Sequence, residues 1–521
     1  MKMKNFMNSV RLKRPDSNMF ALNHMVQTSG EMGTAFPLPP IEVLPGDRIK
    51  LNQVAKCRFM PLVAPGDFMA DIKFYNVFVA NRTIWPQTAG EKNGWEDWLT
   101  MTTTGGVLPA FPTITIDPGV NYTRLMNRLG IPDPGLVPGS AEQEVVSALP
   151  FAAYQKAWSD LFRNQQTMPD ELDYLLQPGD NTANTELTVL RPILWEKDLY
   201  TSATIQPQKG DEVTIPVAGF NDVPIKMQQD PIVDAAFGWN GVDVPSSIPG
   251  TGSVPMDISD DPSLPDRALF ADTSEMEAFG VPISEWRFSL ALQKLKERLN
   301  VAGSRYFEWI KAFTGITSPD ARLQRAELFS SNSTPISFSE VLNTTGETGG
   351  LPQGNMAGHG LGIAVGKDGY YNVKEHGFII TFMCVRPRTV YSQGIRKLWL
   401  KTTDPTQYFN HLFAHVGDEA ILKKELYAYT DHEVPEFGYS RRYYDYCTIP
   451  SYITGEAANS LDFWNLGRQF DAPPALNQSF VICNPRTDIF AVTAPIDNLI
   501  ITVRVNLLAN RQIPVYGTPN V

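Results

Sequence analysis

The stretch FMADIKFYNVFVANRTIW, residues 68–85, decides the fold. One face of it carries apolar side chains at a spacing of two, namely Phe68, Ile72, Phe74 and Phe78. From Val77 onward the opposite face is apolar as well, which predicts a strand whose far half is buried on both faces. A strand of about 13 residues is much longer than usual and indicates a large sheet around it. The break at 81–86 predicts the start of a long insertion.

Similar patterns predict the other elements. Strands are expected at residues 47–59, 211–217, 377–385, 479–483, 489–492 and 498–508, with 479–483 and 489–492 joined as a hairpin. Helical spacing of apolar residues predicts a helix within 150–166 and an amphipathic pair over 284–299 and 306–313. We expect this pair to pack on its own domain. Residues 349–369 are rich in glycine without a phosphate-binding motif and predict a flexible connection.

The composition favours a β-rich globular protein with many ordered loops. The chain has 521 residues, 41 prolines and a charged fraction of 19%. Apolar runs are far shorter than the ~18 residues that span a bilayer, and the first residues lack the apolar segment of a secretory signal. Four isolated cysteines (Cys57, Cys384, Cys447 and Cys483) predict buried free thiols, with neither a zinc site nor a disulfide framework. We therefore expect synthesis and assembly in a reducing cytoplasm, without membrane insertion.

The negative charge is concentrated in one segment. The whole chain has a net charge of −12, and residues 218–280 contain eleven acidic residues against Lys226 and Arg267. This segment also has many prolines and glycines and no periodicity, which predicts a surface excursion. The rest of the chain is nearly neutral, so the overall acidity does not exclude a polyanion as partner.

Two groups of cations are candidates for binding nucleic acid. A basic N-terminal arm carries Lys2, Lys4, Arg11, Lys13 and Arg14 without an acidic residue. The exposed face of the strand 47–59 carries Arg48, Lys50, Lys56 and Arg58. Either group could contact phosphates. The arm could equally be a solvated terminus, and the strand cations could protect a sheet edge or pair with carboxylates.

Catalytic and metal-binding patterns are weak. Glu96 and Asp97 are adjacent in sequence, and adjacent carboxylates seldom face one substrate. His411, His415 and Glu419 have helical spacing, but the HExxH motif is not formed. A nucleophile elbow is missing as well. We predict no enzyme activity, no metal site and no cofactor.

Ten segments along the chain together resemble the major capsid proteins of the small single-stranded DNA phages, the Microviridae, especially gokushovirus-like members. They are EVLPGDRIKL (42–51), YNVFVANRTIW (75–85), WEDWLT (95–100), LPFAAYQKAWSDLFR (149–163), KDLYTSATIQPQKGDEVTIP (197–216), SPDARLQRAELF (318–329), PISFSEVLNTT (335–345), PQGNMAGHG (352–360), SLDFWNLGR (460–468) and LLANRQIPVYGTP (507–519). The resemblance covers nearly the whole chain in order.

The resemblance implies a mainly β fold, an eight-stranded antiparallel jelly roll of the viral capsid type with long loop and helical insertions. We expect one jelly-roll domain over 1–521, with an N-terminal arm at 1–40 and insertions at 86–195, 218–280 and 284–370. Jelly rolls place their first and last strands side by side. Arg504 should therefore join the cations of 47–59 on one surface facing the genome.

The resemblance also implies the partners. Identical copies would form a small icosahedral shell, in the virion, around a circular single-stranded DNA. Further partners would be a small basic DNA-binding protein, an internal scaffolding protein, a DNA pilot protein and a host receptor. The insertion 218–280 matches in position a protrusion thought to meet the host, and its candidate contact residues are Trp239, Asn240, Asp243 and Asp257. The alternatives are a β-rich carbohydrate-binding protein or glycoside hydrolase, and a phage tail or fibre component.

Overall fold

The computed structural model describes most of the chain. The described residues are 16–87, 94–101, 108–137, 139, 142–169, 174–214, 283–342, 356–492 and 497–515, with three short strands between 225 and 271. By its internal contacts the chain divides into two units, Met1–Pro207 with Leu299–Val521, and Gln208–Arg298. The predicted insertion 218–280 lies within the second unit.

The described residues form nineteen strands. In chain order they are β1 Asn18–Ala21, β2 His24–Gly30, β3 Phe36–Pro37, β4 Ile41–Val43, β5 Arg48–Phe59, β6 Ala70–Ala80, β7 Thr113–Ile116, β8 Glu144–Ser147, β9 Ile225–Met227, β10 Val233–Asp234, β11 Leu269–Ala271, β12 Glu327–Pro335, β13 Ser337–Leu342, β14 Met356–Val365, β15 Gly369–Asn372, β16 Gly377–Pro387, β17 Asp418–Leu422, β18 Glu436–Arg441 and β19 Leu499–Arg511.

Eight α-helices occur in the same described ranges. They are α1 Asn81–Ile84, α2 Trp95–Thr100, α3 Arg124–Arg128, α4 Leu149–Leu161, α5 Ile283–Ala302, α6 Tyr306–Thr314, α7 Lys397–Leu400 and α8 Gln478–Val481. None of these described helices combines the length and the apolar character that crossing a membrane requires.

Two antiparallel sheets form the main body of the first unit. The larger has the order β1-β19-β5-β14-β13, with β15 also paired to β5 and β2 to β19. The smaller has the order β12-β6-β16-β3, with β4 also paired to β16. Apolar side chains from both sheets, among them Leu51, Ile501, Phe74 and Met383, form one buried cluster. Along β5 and along β19, apolar residues alternate with polar or exposed residues. One face of each strand is therefore apolar and packs into this cluster.

The strand β6 is buried on both faces, as the sequence predicts. Ile72, Phe74 and Phe78 belong to the core shared with the larger sheet. Val77 and Val79 belong to a second core on the outer face, together with residues of α4. The insertion 86–195 supplies this cover. The Tyr154 ring of α4, for example, lies 5.3 Å from the ring of Phe382 on β16.

Several predicted elements are correct. The strands β5, β16 and β19 and the helices α4, α5 and α6 lie where the periodicity places them. The break after β6 is also confirmed, because the short helix α1 follows directly at Asn81. Leucine, alanine and other good helix formers with Pro150 in the first turn account for α4.

Other predictions are wrong. Residues 479–483 and 489–492 do not form a hairpin, because Gln478–Val481 is a short helix. The glycine-rich residues 356–365 are the strand β14 and not a flexible connection. The arm at 1–40 stays a prediction, and its residues 18–37 contain three strands. Residues 211–214 are not a strand, and 215–217 lie outside the described residues.

The exposure of α6 also differs from the expectation that the amphipathic pair packs on its own domain. Tyr306 and Trp309 are both exposed. Instead, Arg305 next to the helix donates hydrogen bonds to the carbonyl oxygens of Asp160 at 2.7 Å and Arg163 at 2.9 Å. Unpaired carbonyls at a helix end are satisfied in this way by a cation. Arg305 therefore attaches the start of α6 to the end of α4, while Ile310 and Phe313 of the apolar stripe of α6 are half-buried.

Candidate nucleic-acid interface

The pairing of β5 with β19 creates the candidate interface. The two strands are antiparallel over twelve residue pairs, in which Lys56 lies opposite Thr502, Arg58 opposite Ile500 and Arg504 opposite Val54. Successive side chains of a strand point to opposite faces. The even-numbered residues of both strands therefore share the outer face of the larger sheet. This confirms that the strands 47–59 and 498–508 are neighbours.

Burial separates the two faces clearly. The odd-numbered side chains of β5, including Leu51 and Cys57, are buried in the core. Arg48, Lys56 and Arg58 are exposed and Lys50 is half-buried. Arg504 is exposed on β19. The five cations named by the sequence thus lie on one accessible face.

Lys50 differs from the other four cations because it has a carboxylate partner. Its ammonium lies 2.9 Å from Asp368 Oδ2. The hydrogen bond from Lys50 lowers the pKa of Asp368, and the same hydrogen bond raises the pKa of Lys50. This pair corresponds to the alternative that strand cations pair with carboxylates, and it makes Lys50 a poor candidate for binding phosphate.

The other four cations are not neutralised in this way. Within the described part of the chain, Arg48, Lys56, Arg58 and Arg504 have no ion pair with a carboxylate. Lys56 and Arg58 are two residues apart on one strand, which places their attachment points about 7 Å from each other. Such unpaired cations on one face can contact consecutive phosphates of a nucleic acid.

Apolar side chains of neighbouring strands share this face with the cations, and the sequence pattern did not predict them. Ile363 and Val365 on β14, Tyr370 on β15 and Ile500 on β19 are all exposed. Ile363 and Val365 were not predicted as exposed strand residues because the segment 349–369 was predicted as a flexible connection. The alternation of glycine or alanine with larger residues from Gly360 to Val365 was the available signal. Exposed apolar and aromatic side chains can contact unstacked bases.

Two groups of predicted site residues lie outside the described residues. They are the arm cations Lys2, Lys4, Arg11, Lys13 and Arg14, and the host-contact candidates Trp239, Asn240, Asp243 and Asp257. The first described strand, β1, pairs with β19 through Met19 and Asn510. The chain that follows the arm therefore belongs to the sheet that carries the cationic face.

The weak catalytic and metal patterns do not form sites. Asp97 is buried and accepts a hydrogen bond from Gln87 Nε2 at 2.8 Å, whereas Glu96 is exposed. His411 and His415 lie in turns and not on a helix, and Glu419 pairs with Lys397 at 2.9 Å. The described residues contain no cluster of His, Cys, Asp and Glu that could hold a metal.

The cysteines agree with the prediction except at one position. Cys57, Cys384 and Cys483 are buried free thiols, whereas Cys447 is exposed. Burial raises the pKa of Cys57 to about 12 and that of Cys384 to about 11. The thiolate form is disfavoured in an apolar environment, so these two thiols are chemically inert.

A cleft of about 720 Å³ in the first unit is lined by several arginines, among them Arg163, Arg305 and Arg386. Arg305 caps α4, as described above. Arg386 donates to the carbonyl of Leu194 at 2.9 Å and pairs with Glu196 at 3.4 Å. These arginines stabilise the fold and are not arranged around a reacting group.

Comparisons with known proteins are consistent with a structural role. The chain is 31% identical to "Capsid protein VP1" of Bdellovibrio phage phiMH2K, over 87% of this chain and 86% of the relative. It is 25% identical to "Capsid protein VP1" of Chlamydia phage 1, over 99% and 98% of the two chains. It is also 25% identical to "Capsid protein VP1" of Spiroplasma virus 4, over 99% of each chain.

These relatives are capsid proteins, which favours the capsid hypothesis over a carbohydrate-binding protein or a glycoside hydrolase. The family model described as "Capsid protein (F protein)" matches residues 8–521. The match includes both main sheets and the cationic face. The chain belongs to this family of phage capsid proteins and is a structural component of a virion.

Proposed function

We propose that this capsid protein forms a small icosahedral shell around a circular single-stranded DNA, with the outer face of the larger sheet facing the genome. The observation that supports the orientation is the group of four cations, Arg48, Lys56, Arg58 and Arg504, on one exposed face, none of which has a carboxylate partner among the described residues. The apolar side chains on the same face suit single-stranded DNA, whose bases are accessible. The basic arm 1–14 precedes the strand β1 in the sequence and would add to the positive charge.

The finer description of the fold belongs to the same proposal. We infer an eight-stranded jelly roll to which further strands have been added. The two antiparallel sheets that face each other and the adjacency of β5 and β19 support it. The additional strands would extend the edges of this arrangement.

The remaining partners follow from the resemblance. The chain outside 218–280 is nearly neutral, so a small basic DNA-binding protein would supply much of the neutralising charge. The insertion 218–280 would contact a host receptor through Trp239, Asn240, Asp243 and Asp257. An internal scaffolding protein and a DNA pilot protein would take part in assembly, which would occur in the cytoplasm of a bacterial host.

The salt dependence of DNA binding tests the cationic face. The variant Lys56→Gln/Arg58→Gln should bind a single-stranded oligonucleotide more weakly than the unaltered chain. The slope of log K against log salt concentration should decrease by about 0.7 for each lost phosphate contact, because fewer counterions are released. Electrophoretic mobility shift assays over a range of salt concentrations measure both quantities.

The matched control is Lys311→Gln/Lys424→Gln, which removes two exposed lysines outside the larger sheet. The control should retain the affinity and the slope of the unaltered chain. If the two double variants have the same slope, the outer face of the larger sheet does not bind DNA.

A further inference from the structure

A second surface of the first unit consists of large apolar side chains. Trp399, Tyr408, Phe409, Leu412 and Tyr446 form what we call the aromatic surface. Their exposed fractions range from 54% to 72%. Exposure of a single apolar residue is normal, but a group of five indicates a contact site.

Contacts within the chain hold these side chains together. The ammonium of Lys401 lies 3.9 Å from the centre of the Tyr446 ring and 5.9 Å from that of Tyr408. The Phe409 and Tyr446 rings are 6.3 Å apart. Tyr408, Phe409 and Tyr446 therefore form a contiguous group around Lys401. Trp399 and Leu412 lie within three residues of Lys401 and Phe409, respectively, in sequence.

The aromatic surface is also held in a defined shape. Lys401 is buried and forms an ion pair with Asp445. Tyr443 adopts a left-handed backbone conformation with φ of 63°, which is unfavourable for a residue with a side chain. Its hydroxyl donates to the carbonyl of Thr406 at 2.9 Å, and its ring lies 5.2 Å from that of Phe409. Side chains that are ordered before binding lose less entropy when they bind.

The size of the aromatic surface suits a protein partner. Large aromatic side chains bury ~150–250 Å² each, so the exposed parts of the five side chains amount to roughly 600 Å². The exposed neighbours Leu398 and Val416 add to this area. One side of a stable protein interface buries about 800 Å². None of the five residues lines the 720 Å³ cleft, whereas small ligands bind in concave sites.

We propose that the aromatic surface is a contact between two copies of this chain. The inference rests on the proposed shell, in which each subunit must be bordered by identical subunits. Aromatic residues at the centre of an interface supply most of its binding energy. The aromatic surface would thus be a main contact of assembly, separate from the cationic face.

The variant Trp399→Ser/Phe409→Ser/Leu412→Ser tests this contact in the full-length chain. Because the three side chains are exposed in the subunit, the urea midpoint of the unassembled variant should match that of the unaltered chain. The protein concentration at which half of the chains assemble should rise about tenfold or more. Sedimentation velocity over a concentration series measures it.

Two further variants complete the design. Met101→Ser/Val120→Ser/Leu136→Ser replaces three equally exposed apolar residues elsewhere and should assemble as the unaltered chain does. Leu412→Glu introduces one charge at an exposed position and should reduce assembly without loss of folding, even if the triple variant folds poorly.

The outcomes separate this inference from the proposed function. If the unaltered chain remains a monomer at all concentrations, both the shell and this contact are wrong. If the unaltered chain assembles and the variants of the aromatic surface assemble equally well, or the control variant is equally impaired, the contact alone is wrong. Loss of assembly in the variants of the aromatic surface only supports it.

Discussion

Glu425 shows how burial changes the chemistry of a single residue. Its side chain is 4% exposed and lies beside a third apolar cluster that includes Tyr200, Ile421 and Leu426. Its Oε1 accepts a hydrogen bond from the backbone N–H of Leu422 at 3.1 Å. Burial disfavours the charged form and raises the pKa of Glu425 to about 7 from an ordinary value of 4.5.

This raised pKa predicts that stability depends on pH between about 4.5 and 7. The protonated carboxyl is favoured in the folded state, so its contribution is complete below pH 4.5 and is lost as the pH rises through 7. The unaltered subunit should lose up to about 3 kcal/mol from this group between pH 5 and pH 8. Glu425→Gln should lack this part of the pH dependence. Urea unfolding of the unassembled subunit at both pH values measures the difference.

The exposed residue Glu433 provides the control, since Glu433→Gln should leave the pH dependence of the unaltered chain in place. Equal pH dependence in Glu425→Gln and the unaltered chain would mean that the buried carboxyl does not titrate in this range.

The strand β14 shows where element prediction from a sequence fails. A run of glycines has a high cost in conformational entropy and is typical of loops. In the structure, a Cβ at Gly360 would lie 2.7 Å from both the Phe59 and the Phe338 side chains. A Cβ at Gly362 would lie 3.0 Å from Ile72. The glycines are needed because large side chains of neighbouring strands occupy the space next to the backbone.

Gly360→Ala should therefore destabilise the subunit by about 1–3 kcal/mol, because the added methyl group overlaps two aromatic rings. Urea unfolding measures this free energy change. Ile363→Ala, on the exposed face of the same strand, should change stability by about 0.5 kcal/mol or less. A stability change in Gly360→Ala as small as in the control would show that the rings move aside.

Strands and helices with clear periodicity were predictable because their pattern depends on local sequence and not on residues of neighbouring strands. In β5 and β19 the buried and exposed residues alternate, and in α4 the apolar residues follow helical spacing. In these elements local sequence and burial agree. The short helix α8 was mistaken for a strand because an apolar run of a few residues suits either structure.

At the scale of the whole molecule, a buried polar group connects the two sheets. Gln53 of β5 and Asn76 of β6 exchange side-chain hydrogen bonds of 2.7 and 3.2 Å. Thr381 of β16 donates to Asn76 Oδ1 at 2.8 Å. All three side chains are buried in an otherwise apolar environment. Because each hydrogen-bonding group needs its partner there, this contact favours one alignment of the two sheets.

Asn76→Ala should lower the free energy of unfolding by about 2–4 kcal/mol, because it leaves a buried amide and a buried hydroxyl without their partner. Chemical denaturation of the unassembled subunit measures this loss. Asn506→Ala removes a half-buried asparagine from the outer face of the larger sheet and should have a small effect. Similar losses in both variants would argue against a special role of the buried group.

The sequence by itself determined the β-rich class, the main helices and the capsid resemblance. It also determined that β6 is buried on both faces and that Arg48, Lys56, Arg58 and Arg504 share one exposed face. These features depend on residue type and on spacing along the chain, which local patterns record. Only the tertiary structure decided that Lys50 pairs with Asp368, that β14 is a strand, and that Phe409 and Tyr446 lie side by side. These features depend on residues far apart in sequence, whose distances are set by packing.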